Sequence, residues 1–130
     1  MTTEEKIKRY HSEEILLILF ICYTDLSCYT DVELVGFTEA IEGRIEVLFE
    51  SDYLLGLEDH FQITSDILRN FKSLKEFLTS LYSSRWSQKM KDKLIWSKAN
   101  TLSCELLKKL NIDWIEPKEF IENHLDIDWT

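Results

Sequence analysis

The chain has 130 residues, of which 45% are hydrophobic and 12% aromatic, and its formal net charge is -9 at pH 7. This composition is typical of one globular domain and excludes a disordered chain and a chain that needs disulfides to fold. The content of three Gly and one Pro disfavours turn-rich β architectures. We therefore predict a single all-α domain over residues 1–130, with five or six helices and a short extended C-terminal tail.

The first two predicted helices are each introduced by a capping box, in which a Thr hydroxyl and a Glu side chain satisfy each other's backbone amides. Thr2 with Glu5 predicts a helix over 3–23, and Thr30 with Glu33 predicts a helix over 31–50. The second helix has apolar residues at spacings of three and four, which form one face. They are Leu34, Phe37, Ile41, Ile45 and Leu48.

The middle of the chain contains two more helix starts. Ser51 and Asp52 predict a short helix that runs to about residue 60. The polar residues at 64–66 predict a cap for a helix from 67 to about 82, and Ser73 with Glu76 predicts a break near residue 72. The apolar spacing within 67–81 supports a helix on either side of that break.

The last third of the chain is also predicted to be helical. Residues 85–110 form one helical region, with an interruption expected near Asn100 and Thr101. Pro117 suits the first position of a last short helix, which ends near Asn123 or His124. Residues 125–129 alternate apolar and acidic side chains, and we interpret them as an extended tail.

The apolar run over 15–23 contains nine residues, whereas a membrane-spanning helix needs roughly 20. Glu13 and Glu14 stand where a signal peptide would carry positive charge. The three cysteines are an odd number without a Cys-x-x-Cys pair, which favours a reducing compartment. They are Cys22, Cys28 and Cys104. We expect a cytoplasmic protein that does not act at a membrane.

The charges are segregated along the chain. Residues 11–66 contain thirteen acids and one base, residues 67–110 contain three acids and ten bases, and residues 111–130 contain six acids and one base. Within the first block, four glutamates fall inside an arc of about 80° on one helix. These are Glu39, Glu42, Glu46 and Glu50, with Val35 among them and Phe49 at the margin.

Two interpretations of this acidic stripe stay open. In the first, the basic segment folds against the stripe and relieves its repulsion, so the stripe is a solvated structural face. In the second, the stripe recognises a basic protein, because its charges steer the encounter and the neighbouring apolar residues add contact area. If the stripe is free, removing its charge should leave the stability intact or raise it.

The basic segment and the acidic tail are further candidates for binding. Arg85, Lys89, Lys93 and Trp96 share a helical face, a pattern that can bind nucleic acid, although a net charge of -9 repels a polyanion at long range. We expect these bases to pair with the acidic blocks or with a second copy of the chain, and we expect no nucleic-acid partner. In the tail, Trp129 lies beside Asp126 and Asp128, which suits an anchor in a basic cleft or a tail docked on the core.

No catalytic or metal signature is present. The chain lacks a His-Glu-x-x-His helix, a Gly-rich phosphate loop and a Gly-x-Ser-x-Gly elbow, so we predict that it is not an enzyme. The repeated Cys-Tyr-Thr-Asp at 22–25 and 28–31 supplies soft and hard ligands, but we interpret each copy as part of a helix end. We expect no cofactor and no metal; a small enzyme that uses Cys22, Cys28 or His60 is an alternative.

Residues 57–63, Leu-Glu-Asp-His-Phe-Gln-Ile, resemble the end of the recognition helix and the following loop in acyl carrier proteins. The position that matches that family's phosphopantetheine serine is Val47, so the resemblance implies no carrier cofactor here. It leaves a helical adaptor or carrier-like interaction module as an alternative function.

The leading hypothesis is a non-enzymatic acidic protein that neutralises a basic partner. An immunity protein or antitoxin that inhibits a toxin such as a nuclease has these electrostatics, because the toxin's substrate-binding face is positive. The residues predicted to bind the partner are Val35, Glu39, Glu42, Glu46, Phe49, Glu50, Asp52, Glu58, Asp59, Asp126, Asp128 and Trp129. The same charge segregation would also allow a homodimer, in which the basic segment of one copy pairs with the acidic blocks of a second copy.

Overall fold

Helices account for nearly all of the described backbone. The computed structural model describes residues 2–42, 62–81 and 86–124, and within them the side chains of 7–10 and 124 are not described. In these ranges there are six α-helices, one short 3-10 turn and no strand, so the predicted all-α class is confirmed. The elements are α1 (Thr3–Tyr23), the 3-10 turn (Leu26–Cys28), α2 (Asp31–Glu42), α3 (Ser65–Ser80), α4 (Trp86–Lys91), α5 (Lys93–Leu110) and α6 (Pro117–His124).

Three of the predicted helix starts are confirmed, those of α1, α2 and α6. At α1, the Thr2 hydroxyl accepts from the Glu5 amide at 3.1 Å and the Glu5 carboxylate accepts from the Thr2 amide at 3.0 Å. Thr30 and Glu33 make the same pair of bonds, at 3.2 and 2.9 Å, before α2. Pro117 begins α6, as predicted. Three predicted segments lie outside the described residues. They are the remainder of the second helix (43–50), the short helix (51–60) and the tail (125–130).

Two predicted breaks are wrong. Helix α3 is continuous from Ser65 to Ser80, so the capping box predicted at Ser73 and Glu76 within it does not form. Helix α5 is continuous through Asn100, and the interruption lies at Asp92 instead. The Asp92 carboxylate caps α5 by accepting from the backbone amides of Leu94 and Ile95, at 2.9 and 3.2 Å. An Asp that satisfies two orphan amides defines a helix start more strongly than the polar residues further along.

The core is built around α1. The stretch Ile15–Cys22 is apolar on every side and almost wholly buried, as expected of a helix surrounded by others. Helix α1 packs against α2, α5 and α6, and α5 packs in turn against α3 and α4. Among the described residues, no helix combines the length and the apolar character needed to cross a membrane.

The C-terminal end of α1 is held by side chains from distant parts of the chain. The Asn100 amide of α5 donates to the carbonyls of Cys22 and Thr24, at 2.6 and 3.3 Å. The Trp114 indole donates to the Thr24 hydroxyl at 3.0 Å. Because helix ends leave carbonyls without intrahelical partners, these bonds fix both the end of α1 and its position on α5.

Candidate protein-binding site on helix α2

Helix α2 has one buried face and one exposed face. Leu34, Phe37 and Ile41 are 5% exposed or less and join the core. The opposite face, which we call the α2 surface, consists of Val32, Val35, Glu39 and Glu42. Val32 is 83% exposed and Val35 is 48% exposed. Glu39 is exposed and Glu42 is half-buried. The spacing of three and four residues places these side chains side by side.

The structure describes three of the residues predicted to bind a partner, and all three lie on the α2 surface. They are Val35, Glu39 and Glu42. The others lie outside the described residues: Glu46, Phe49, Glu50, Asp52, Glu58, Asp59, Asp126, Asp128 and Trp129. The described part of the acidic stripe therefore consists of its first two glutamates, Glu39 and Glu42.

Other acids of the first acidic block form ion pairs with bases from later in the chain. Three of the partners lie on α4 and α5, so the predicted pairing of the basic segment with the acidic block occurs for three acids. The fourth partner, Lys118, lies on α6 and outside that segment. The pairs are Asp25 with Lys93 at 3.6 Å, Asp31 with Lys91 at 2.6 Å, Glu33 with Lys118 at 2.5 Å, and Asp66 with Lys109 at 2.5 Å.

Glu39 and Glu42 differ from these paired acids. None of the ion pairs between described residues includes either side chain. The α2 surface therefore carries two carboxylates without a described cationic partner, next to two exposed valines. Bases of α4 and α6 pair with acids in the first turn of α2, whereas the later turns take part in no ion pair between described residues.

A groove runs beside this surface, where α6 packs against α1 and is joined to α2 by the ion pair of Lys118 with Glu33. Its volume is about 320 Å³. It is lined by Leu17 from α1, by Glu33, Gly36, Phe37, Glu39 and Ala40 from α2, and by Lys118 and Ile121 from α6. We call it the α2–α6 groove. Its floor is apolar, and its edge carries acidic side chains and one lysine.

A polar network joins the start of α2 to the start of α6, and two of its members, Glu33 and Lys118, line the groove. The Tyr29 hydroxyl donates to Glu116, and the Lys118 ammonium lies 5.6 Å from the centre of the Tyr29 ring. Partial burial raises the pKa of Tyr29, and the bond to Glu116 raises it further. The hydrogen bond from Lys118 lowers the pKa of Glu33 to about 2. Hydrogen bonding to Glu33 also raises the pKa of Lys118, and the charges of Glu116 and Glu122 contribute to that rise. The network keeps Glu33 and Lys118 ionised and attached to each other.

The predicted basic face does not exist as a single helical stripe. The break at Asp92 places Lys89 on α4 and Lys93 on α5. Trp96 is 1% exposed and belongs to the core, so it cannot stack on a base. Lys93 pairs with Asp25, and Arg85 lies outside the described residues.

The repeated Cys-Tyr-Thr-Asp serves helix ends, as predicted. Thr24 is the C-cap of α1, and the Asp25 carboxylate accepts from the Ser27 amide at 3.0 Å to begin the 3-10 turn. Burial raises the pKa of the Cys22 thiol, which disfavours the reactive thiolate. Within the described ranges, no three His, Cys, Asp or Glu side chains are grouped so that they could hold a metal ion. His60 lies outside those ranges.

The groove was not predicted from the sequence. Its lining residues come from three helices, and residues 17 and 118 are separated by most of the chain. The sole local signal is Gly36, an isolated glycine within an otherwise regular helical pattern.

No protein-family model, curated protein or solved structure matches this chain.

Proposed function

We propose that this protein is a non-enzymatic inhibitor that binds a basic protein partner through the α2 surface. The class of function is that of an immunity protein or antitoxin, and a nuclease toxin is the partner that suits the charges best. One observation carries the proposal: Glu39 and Glu42 take part in no described ion pair and lie beside exposed valines, whereas neighbouring acids are paired.

The energetics favour a role for these two charges outside the fold. Like charges three residues apart on a helix destabilise it by about 0.2 to 0.5 kcal/mol. Carboxylates without a described cationic partner add no described ion pair to the fold, but they raise the rate of encounter with a protein of opposite charge. Val32 and Val35 supply apolar area that becomes buried on association.

A nucleic-acid-cleaving enzyme suits this surface because its substrate site is positively charged. Carboxylates placed where phosphates would lie satisfy that site and exclude the substrate. The chain itself, with a net charge of -9, is repelled by nucleic acid, so the partner is a protein. Action in the cytoplasm is part of the proposal, and the three free cysteines agree with a reducing compartment.

The test is affinity capture with the tagged full chain from its native cells, at low and at moderate salt. The variant Glu39→Gln/Glu42→Gln is compared with Glu76→Gln/Glu105→Gln, which removes two exposed acids from α3 and α5 and has the same net charge. We expect the parent and the control to retain a basic protein that the α2 variant loses. The activity of that protein should fall when the parent chain is added. Equal retention by all three chains would contradict the proposal.

A second variant tests whether the acidic stripe continues beyond the described residues. It adds Glu46→Gln and Glu50→Gln to the α2 variant. If the stripe is continuous, this variant should associate more slowly than the α2 variant and its association rate should depend less on salt, since electrostatic steering scales with the charge presented. Identical association rates for the two variants would confine the binding charge to Glu39 and Glu42.

A further inference from the structure

The α2–α6 groove has the dimensions of a site for one or two side chains. Its volume of about 320 Å³ is at the lower end of the range found for ligand sites. Leu17, Phe37, Ala40 and Ile121 form its apolar part. An apolar side chain placed there would be removed from water on several sides, which is the property of an anchor residue at a protein interface.

Gly36 keeps the groove open, and the fold does not require a glycine there. A Cβ atom built at Gly36 meets no atom within 4 Å, so close packing does not exclude a side chain. The backbone of Gly36 has a negative φ, which any residue adopts. Glycine within a helix is less favourable than alanine by about 1 kcal/mol. The chain therefore carries a helix-weakening residue whose visible effect is open space at the edge of the groove.

The charges around the groove favour a cation. Glu33 and Glu39 line it, and Glu122 lies close enough to Lys118 to raise the pKa of that lysine. Lys118 is the one base among the described lining residues and is already paired with Glu33. An apolar side chain that enters the groove therefore brings its neighbours into a negative field, in which Lys and Arg are stabilised and Asp and Glu are repelled.

We propose that the α2–α6 groove is the anchor pocket of the partner interface, and that it takes an apolar side chain flanked by Lys or Arg on the basic partner. This inference rests on the proposed function and adds the chemistry that the partner must present. Glu39 belongs to both the groove and the α2 surface, so one basic segment can engage both. Two other occupants are disfavoured by charge: a second copy of the chain carries -9, and residues 125–129 carry two Asp.

The groove is tested with three capped synthetic peptides titrated into the full ¹⁵N-labelled chain. They are a basic apolar peptide (Lys-Lys-Phe-Leu-Lys-Lys), a basic polar peptide (Lys-Lys-Gly-Ser-Lys-Lys) and an acidic apolar peptide (Glu-Glu-Phe-Leu-Glu-Glu). We expect the basic apolar peptide to shift the amide signals of Gly36, Ala40 and Ile121. It should bind at least about tenfold more tightly than either of the others, because burying a large apolar side chain is worth about that factor or more.

Two variants at Gly36 separate filling of the groove from damage to the fold. Gly36→Leu places a side chain at the edge of the groove and should weaken the basic apolar peptide by about tenfold or more. Gly36→Ala adds only a methyl group and should change the affinity by less than about threefold. Equal affinity of Gly36→Leu and the parent, with both chains folded, would overturn the inference.

The remaining outcomes are equally decisive. Tighter binding of the acidic apolar peptide would overturn the charge argument and favour residues 125–129 as the occupant. A parent chain that sediments as a dimer, together with a monomeric Gly36→Leu variant, would overturn the inference in favour of a second copy. If a captured basic partner needs Glu39 and Glu42 but binds Gly36→Leu as well as the parent, the proposed function stands and the groove inference fails. If no such partner exists, the proposed function fails while the peptides still test the groove.

Discussion

At the scale of single residues, Gly36 is a position where helix stability and the proposed binding role are opposed. The glycine weakens the helix, and nothing in its surroundings needs the absence of a Cβ. Replacement by alanine reduces the conformational entropy of the unfolded chain and adds helix propensity.

We predict that Gly36→Ala raises the free energy of unfolding by about 0.5 to 1 kcal/mol. The measurement is urea denaturation of the parent and the variant, followed by circular dichroism. A loss of stability would show that Gly36 is packed more tightly than the structure indicates.

Asn100 is a second residue whose role is not local. Its amide donates to two carbonyls at the end of α1, and a substitution leaves those carbonyls with fewer partners. We predict that Asn100→Ala lowers the free energy of unfolding by about 1 to 3 kcal/mol, the usual cost of unsatisfied buried polar groups. The control is Asn123→Ala, which removes an exposed bond within α6 and should change the stability by less than about 0.5 kcal/mol. Equal effects of the two substitutions would contradict the assigned role.

At the scale of the helices, the ion pair between Glu33 and Lys118 joins α2 to α6 beside the groove. The pKa of Glu33 is lowered from 4.5 to about 2. As the pH falls, the unfolded chain therefore takes up a proton on this side chain at a higher pH than the folded chain does. Its contribution to stability is therefore complete above pH 4.5 and is lost as the pH falls towards 2.

We predict that Glu33→Gln makes stability less sensitive to acid in this range. Chemical denaturation at a series of pH values should give a shallower decline for Glu33→Gln than for the parent. Asp25 and Asp66 also have lowered pKa values, because of a hydrogen bond from Ser27 and from Lys109 respectively, and they keep part of the slope. Glu105→Gln is the control and should follow the parent. A slope unchanged by Glu33→Gln would contradict the pairing.

The pair has the opposite dependence at high pH. Hydrogen bonding to Glu33 raises the pKa of Lys118 above 10.5, so this lysine contributes stability below its unfolded pKa and loses it as the pH rises through the folded value. Glu33→Gln should reduce that alkaline contribution, while the charges of Glu116 and Glu122 keep part of it, and the same pH series measures both effects.

The elements that sequence reasoning predicted correctly are those specified by local contacts. Both capping boxes lie within four residues of chain, and Pro117 begins α6 by its own fixed φ. The errors concern competition between signals. The sequence does not mark Asp92 as a helix cap, because lysines flank it on both sides and the apolar pattern does not change there. Asn100 resembles a helix breaker in the sequence, because its hydrogen-bond partners on α1 are known only from the structure. The groove needs three helices to be placed, which no local pattern specifies.

At the scale of the whole molecule, two sets of acids can be distinguished within the first acidic block. The first set forms ion pairs with later bases, and the second has no described ion pair. The bases of α4, α5 and α6 neutralise Asp25, Asp31, Glu33 and Asp66. Glu39 and Glu42 belong to no described ion pair. The two hypotheses for the acidic block thus apply to different residues, since internal pairing describes the first set and partner recognition is proposed for the second.

This division makes a prediction about folding alone. Glu39→Gln/Glu42→Gln should leave the free energy of unfolding unchanged or raise it by up to about 0.5 kcal/mol, because it removes a like-charge pair. Asp66→Asn should lower it, because that carboxylate binds both Lys109 and Arg69. Thermal and urea denaturation of the three chains check the order. A marked loss of stability in the α2 variant would show that its glutamates support the fold.

The proposed role of the two α2 glutamates is tested by the affinity of the captured basic partner for the parent, for Glu39→Gln/Glu42→Gln and for Glu76→Gln/Glu105→Gln, measured by isothermal titration at two salt concentrations. We expect a loss of affinity in the α2 variant alone, and a smaller dependence of that variant's affinity on salt. Equal affinities of the two double variants would refute this role, because net charge and not the α2 surface would then determine binding.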